Sequence, residues 1–223
     1  MRGGPQQIPR PDRWSSGGPP PWVDSDVDEI SVTTIERTLL EYQPSEILRG
    51  PAVTRPREPG PESAVLVTVY DGDAGATTIL TRRPQHMRKH AGEVSFPGGA
   101  ADEGDETLWH TALREAHEEI ALDPALPRPI GALDRFVTGA SFSLVAPLVG
   151  ALDDRPDLVA SPDEVDAILH VPLRELLNPD VYRHEVWEWG GELRSMHFFD
   201  LVGDTVWGAT ALMLHRLLEL LTE

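Results

Sequence analysis

Two β-rich runs, AVLVTVY at 64–70 and TTILTR at 77–82, flank the pentapeptide Asp71-Gly72-Asp73-Ala74-Gly75. Branched apolar residues broken by so short a glycine-bearing turn predict a β-hairpin. Helical spacing appears earlier, where Val32, Ile35, Leu39 and Leu40 recur behind Ser31, a residue suited to cap a helix start. It returns from about Asp105 to Leu122, with Trp109, Leu113, Ala116 and Ile120 sharing one face. Between hairpin and helix, GEVSF reads as a short strand ending at Pro97-Gly98-Gly99. Further on, PIGALDRFV and FSLVAPLVGAL read as strands, followed by the apolar stretch AILHVPL and a short helix at Leu173–Leu177. Strands around Tyr182–Trp189 and Met196–Leu201 and a helix from about Thr205 complete the order. Strands interleaved with helices, without an internal repeat, predict a mixed sheet covered by helices on both sides.

Residues 1–26 interrupt this picture with six prolines and several glycines. The expectation is a mobile Pro/Gly-rich tail without hydrogen-bonded elements, in which Trp14 and Trp22 are available to dock and a partner-binding role stays open. Residues 27–223 then form one domain, with PAVTRPREPGPE at 51–62 as an internal connector.

Composition narrows the chemistry. The 223 residues hold 19 Lys and Arg against 37 Asp and Glu, a formal charge of −18, which excludes a general nucleic-acid binder. The absence of cysteine removes disulfides, thiol nucleophiles, zinc fingers and iron–sulfur clusters together. The first residues lack the apolar stretch of a signal peptide, and ALMLHRLLELL at 211–221 is too short and too charged to span a bilayer. The expectation is a soluble cytoplasmic protein with no membrane partner; the long acidic helix and the apolar C-terminal run leave a homodimer open.

The helix at 105–122 carries the sharpest signal. Glu115, Glu118 and Glu119 stand at i, i+3 and i+4, so three carboxylates crowd one stripe, and no Lys or Arg follows at i+4 to relieve them. A hard divalent cation with oxygen ligands would neutralise such a cluster. A solvated helix face is the plainer alternative, as a simple turn is for Gly98-Gly99. Upstream, Arg82, Arg83, Arg88 and Lys89 place four cations within eight residues, suited either to hold phosphates or to solubilise a strand end. His86 and His90 lack zinc spacing and fit loop support. Trp187, Trp189, Phe198 and Phe199 fit packing better than base stacking. Neither GxSxG nor any cysteine offers a nucleophile.

Glu106, Arg114-Glu115, Ala116, Glu118-Glu119 and Leu122, behind Gly98-Gly99, resemble the Nudix box of the Nudix hydrolases. Leu80-Thr81-Arg82-Arg83, Arg88, His90, Gly92 and Phe96-Pro97-Gly98-Gly99 are similar to the signature of its coenzyme A pyrophosphatase branch. Pro162-Asp163-Glu164-Val165, Val171-Pro172-Leu173 and Trp207-Gly208-Ala209-Thr210 are similar to it too, so the resemblance covers about residues 30–222. Pro84, Ala121 and Leu212 depart from the branch pattern.

The resemblance implies a Nudix α/β/α sandwich with a mixed β-sheet between helices. It implies Mg²⁺ or Mn²⁺ held by Glu115, Glu118 and Glu119, with Arg114 orienting one carboxylate. The general base is Glu115 or Glu164; the latter, in SPDE, also reads as a capping-box acid at a helix start behind Ser161. Arg82, Arg83, Arg88, Phe96, Gly98 and Gly99 are the expected substrate-binding positions. The implied reaction is water attack at phosphorus, cleaving coenzyme A or a derivative to adenosine 3′,5′-bisphosphate and 4′-phosphopantetheine. Hydrolysis of ADP-ribose or another nucleoside diphosphate derivative is the alternative, and a non-catalytic nucleotide-sensing module lies beyond that.

Overall fold

The computed structural model describes residues 2–25, 27, 30–45, 48–49, 60–87, 90–138 and 142–223. The hairpin forms as β3 (Glu62–Gly72) and β4 (Gly75–Arg82), joined through Asp73-Ala74. Its long first strand is the middle of the fold. Ala64, Leu66 and Tyr70 bury towards one side and Val67 and Val69 towards the other, the period-2 pattern of a strand covered on both faces.

One side is covered by α2 (Leu108–Ile120), whose Ala112, Ala116 and Ile120 are fully buried. The opposite side receives α1 (Val32–Glu41), through Ile35 and Leu39, and α4 (Gly208–Thr222), through Leu214, Leu217, Leu218 and Leu221. A mixed sheet between helices, the α/β/α sandwich, is the observed architecture.

Around β3 and β4 the sheet grows through β2 (Leu48–Arg49), β5 (Val94–Ser95), β6 (Gly98–Ala100), β7 (Arg128–Ala132), β8 (Phe136–Val137), β9 (Leu144–Ala151) and β10 (Ala167–Pro172). Among the described residues the strand path runs β10-β4-β3-β9-β8-β2, with β5 on β4, β6 on β3 and β7 on β9. β3 lies parallel to β9 and antiparallel to β4 and β6. After the single-turn α3 (Leu173–Leu176), β11 (Tyr182–Trp189) and β12 (Glu192–Asp200) form a second hairpin.

Two expectations need correcting. The final helix starts at Gly208 because Thr205–Val206 (β13) pair with β12 instead. The N-terminal stretch is also no element-free tail. Trp14–Ser16 (β1) pair antiparallel with β11, Gln6 is buried, and Trp22, 3% exposed, lies between Tyr182, Phe199 and His215. Proline blocks ladders only where its own nitrogen must donate, and Trp14-Ser15-Ser16 contains none. The aromatic cluster serves packing: Trp187, Phe198 and Phe199 are buried, while Trp189 stays half-exposed. Among the described residues no helix is long and apolar enough to cross a membrane.

A stacked histidine group underlies the second hairpin. His197 lies 3.8 Å from the His215 ring and 5.3 Å from His184, and shares a 2.7 Å hydrogen bond with the Tyr182 hydroxyl. Burial, then the neighbouring His215 and His184, push the His197 pKa down to about 3. The unfolded chain therefore binds more protons between its ordinary 6.5 and about 3, so stability falls as pH drops through that window. Urea midpoints are expected to fall further, or rise less, from pH 7 to 5 in the parent than in His197→Gln; parallel slopes would contradict this.

Candidate active site

The acidic helix begins where Thr107 accepts the His110 N–H, and ends where Ala121 adopts a left-handed conformation at φ 54°. A side chain there is strained, so Ala121→Gly is expected to stabilise the fold by about 0.5–1 kcal/mol in urea titrations. Loss of stability would contradict it.

The observed inward face of α2 is rotated from the predicted one. Trp109 and Leu113 are only partly buried, whereas Glu119 sits beside Ala112 and Ala116 at 3% exposure. The three carboxylates thus occupy three depths: Glu119 buried, Glu115 mostly covered, and Glu118 open to solvent.

Arg114 organises this stripe from its N-terminal side. Its Nη1 donates to Glu115 Oε1 at 2.9 Å and to Glu118 Oε2 at 3.0 Å. Nη2 donates to the Ala100 carbonyl at 3.0 Å and to Asp105 Oδ2 at 3.1 Å, while Nε reaches Asp105 Oδ1 at 3.2 Å. Relief of the acidic cluster therefore comes from the arginine four residues before Glu118. The sequence reading missed Asp105, whose carboxyl Arg114 and the Asp102 N–H hold well below the usual range. Glu106 points away, its side chain 84% exposed. An aspartate two residues before the Thr107 cap was the available signal.

Gly98 and Gly99 bring β6 against the helix. A Cβ at Gly99 would lie 2.5 Å from the Glu115 carboxylate carbon, so only a bare α-carbon lets that carboxylate sit there. Gly98 offers its N–H to Glu119. That bond and the charge of Arg83 oppose burial and nearby Glu115 and Glu164, which together push Glu119 up to about 8. Burial also raises Glu115, against the pull of Arg114.

Glu164 reaches this group by a route the sequence did not show. Residues 162–164 form a turn instead of a helix start, with the Glu164 and Val165 amides donating to the Ser161 carbonyl. The Ser161 N–H donates to the Glu119 carbonyl at 2.8 Å, fastening the turn to the end of α2. Glu164 is solvent-exposed and close enough to raise both Glu115 and Glu119.

The expected substrate-binding positions separate. Arg83 is partly buried, acts on Glu119, and has an Nε without a hydrogen-bond partner. Arg82 is held by two aspartates. Phe96, 2% exposed, is a core side chain on the α1–α4 side. Arg88 and Lys89 lie outside the described residues. His90 meets Glu93 at 2.8 Å, in keeping with loop support. Leu212 packs on the sheet face opposite α2.

A divalent cation suits this donor set. Glu119 Oε2 is buried without a hydrogen-bond partner, an arrangement costly for an ionised carboxylate unless a cation completes it. Among the described residues no three acidic or histidine side chains are gathered into a finished cage, since Arg114 holds Glu115 and Glu118.

Residues 60–190, more than half of the chain, match the NUDIX domain. The chain belongs to the Nudix family. It is 39% identical over 174 residues to Nudix hydrolase 22, chloroplastic, of Arabidopsis thaliana, a match covering 75% of this chain and 56% of that protein. Nudix hydrolase 15, mitochondrial, of the same plant is 39% identical over 161 residues, covering 69% and 56%. This Nudix chain therefore spans a little over half the length of the two plant relatives. The uncharacterized Nudix hydrolase NudL of Salmonella heidelberg is 37% identical over 200 residues, covering 85% of this chain and 95% of that one.

Proposed function

We propose that this Nudix chain hydrolyses the diphosphate of a nucleoside diphosphate derivative, with coenzyme A or one of its derivatives as the substrate its sequence signature favours. The observation that carries the reading is the buried, unpartnered Glu119 Oε2, set beside Glu115 on a helix whose other acids Arg114 fixes. A solvated helix face has no reason to bury one carboxylate and lift its pKa to about 8.

Glu115, Glu118 and Glu119 would hold Mg²⁺ or Mn²⁺. When bound, such an ion screens phosphate charge and acidifies a coordinated water. The chain supplies the remaining work. Arg114 fixes the directions of Glu115 and Glu118 before substrate arrives, so that little reorganisation accompanies the reaction. Arg83 presents a partly buried guanidinium where diphosphate oxygens need a counter-charge. Glu115, its pKa raised by burial, and Glu164, exposed on its turn, are the two candidates to take the proton from the attacking water. Water attack at phosphorus then expels the second phosphate without a covalent enzyme intermediate.

The test is mass spectrometry of products from coenzyme A, ADP-ribose and diadenosine polyphosphates with Mg²⁺ or Mn²⁺. Chelator-sensitive release of 4′-phosphopantetheine and adenosine 3′,5′-bisphosphate supports the full reading. Turnover of ADP-ribose alone keeps the diphosphate chemistry and removes coenzyme A. Nucleotide binding without turnover would make the chain a sensing module.

A further inference from the structure

Arg82 opens the basic stretch of the sequence, yet other protein groups fill its guanidinium. Nη1 donates to both oxygens of Asp204, at 3.2 and 3.0 Å, and Nε and Nη2 reach Asp166 Oδ2 at 3.0 and 2.9 Å. Asp204 is buried, and its Oδ1 accepts a further bond from Gln6 Nε2 at 2.9 Å. The same nitrogen donates to the Gly92 carbonyl at 3.0 Å, while Gln6 Oε1 accepts the Thr205 N–H at 2.8 Å. Every polar atom of the buried Gln6 amide is thereby engaged.

The network grips two segments that matter to the site. Gly92 directly precedes Glu93, whose carbonyl accepts the Arg83 N–H at 2.9 Å. Asp166 follows the Glu164 turn by two residues, and its N–H donates to the Arg82 carbonyl at 2.7 Å. A phosphate taking this guanidinium would have to displace a carboxylate, and freeing the buried Asp204 would strand its charge.

We propose that Arg82 is a positioning residue: through Asp166 it sets the Glu164 turn, and through Asp204 and Gln6 it sets the Gly92 loop. The N-terminal segment is then a working part of the site. Its effect on turnover rests on the proposed diphosphate hydrolysis, whereas its effect on the two segments does not.

Arg82→Gln, Arg82→Lys and Gln6→Ala in the full chain test this. Each is assayed on coenzyme A and its 3′-dephospho form with Mg²⁺, alongside hydrogen-exchange mass spectrometry. Misplacing a reacting group predicts that Arg82→Gln lowers kcat about tenfold or more, with KM within about threefold, equally for both substrates. Arg82→Lys should resemble it, because a point charge cannot bridge two aspartates. Gln6→Ala should lower kcat in the same sense by a smaller factor. Exchange should rise at 90–93 and 161–166 in Arg82→Gln, and at 90–93 in Gln6→Ala. A raised KM at unchanged kcat, larger for coenzyme A than for its 3′-dephospho form and with exchange unaltered, would make Arg82 a substrate contact and overturn the proposal. If the unmutated protein cleaves neither nucleotide, the diphosphate reading falls on its own. Exchange then decides the positioning role: a rise supports it and no change overturns it. Should Arg82→Gln fail to fold, Gln6→Ala and Arg82→Lys carry the same comparison.

Discussion

Glu119→Gln is expected to lower hydrolysis by at least about 100-fold while making the metal-free protein more stable above neutral pH. Both effects come from the depth of one side chain. Glu119 is 3% exposed, its Oε2 has no hydrogen-bond partner, and burial pushes its pKa up to about 8. Because the folded-state pKa lies above the ordinary 4.5, the folded protein retains a proton that the unfolded chain releases. Stability contributed by the neutral carboxyl is therefore present below about 4.5 and lost as pH rises through about 8. Glutamine mimics the neutral form at every pH. In urea titrations with chelator, the variant should match the parent near pH 5 and exceed it by about 1–3 kcal/mol at pH 8.5. Retained turnover, or a stability difference independent of pH, would contradict this assignment.

The two glycines before the helix should fail in different ways. In Gly99→Ala the new methyl would lie 2.5 Å from the Glu115 carboxylate, the end of a side chain that can swing aside. Folding should survive with a loss of about 1 kcal/mol, while kcat falls about 100-fold because a reacting group is misplaced. Gly98→Ala places its methyl 2.4 Å from the Ala64 carbonyl and 2.6 Å from the Val65 α-carbon, backbone that belongs to the central strand. There the sheet itself must yield, and a loss of about 3 kcal/mol is expected. Thermal unfolding with steady-state kinetics on both variants separates the outcomes. A Gly99→Ala protein of full activity would remove Glu115 from the reaction.

Elements with local periodicity were readable from the sequence. The hairpin at 62–82 and the helix at 108–120 announce themselves through branched runs and an apolar stripe that their own neighbours complete. What escaped depends on distant partners. The packed face of α2 is decided by β6 and β3, which take in Glu119 and leave Trp109 only partly covered. Asp105 meets Arg114 across a loop, nine positions away. β1 spans three residues, too few for any period, and is held by β11 with Arg10 paired to Glu185 and lying 4.1 Å over the Trp14 ring. Its place could be read only with residues some 170 positions later in view. The Glu164 turn is similar, because its anchor is a backbone carbonyl of α2 and no side-chain pattern encodes it. The acids of the stripe were legible as a group, and their unequal depth was not.

Turnover by Glu118→Gln tests the central claim most directly. Its side chain is 53% exposed, so the substitution removes a carboxylate oxygen without disturbing the core. Product formation from coenzyme A and ADP-ribose, measured with Mg²⁺ beside substrate affinity and thermal stability, separates chemistry from binding and folding. A catalytic acidic helix predicts unchanged stability, substrate binding near that of the parent and turnover reduced by about 100-fold or more. Turnover equal to that of the parent would place the chemistry elsewhere.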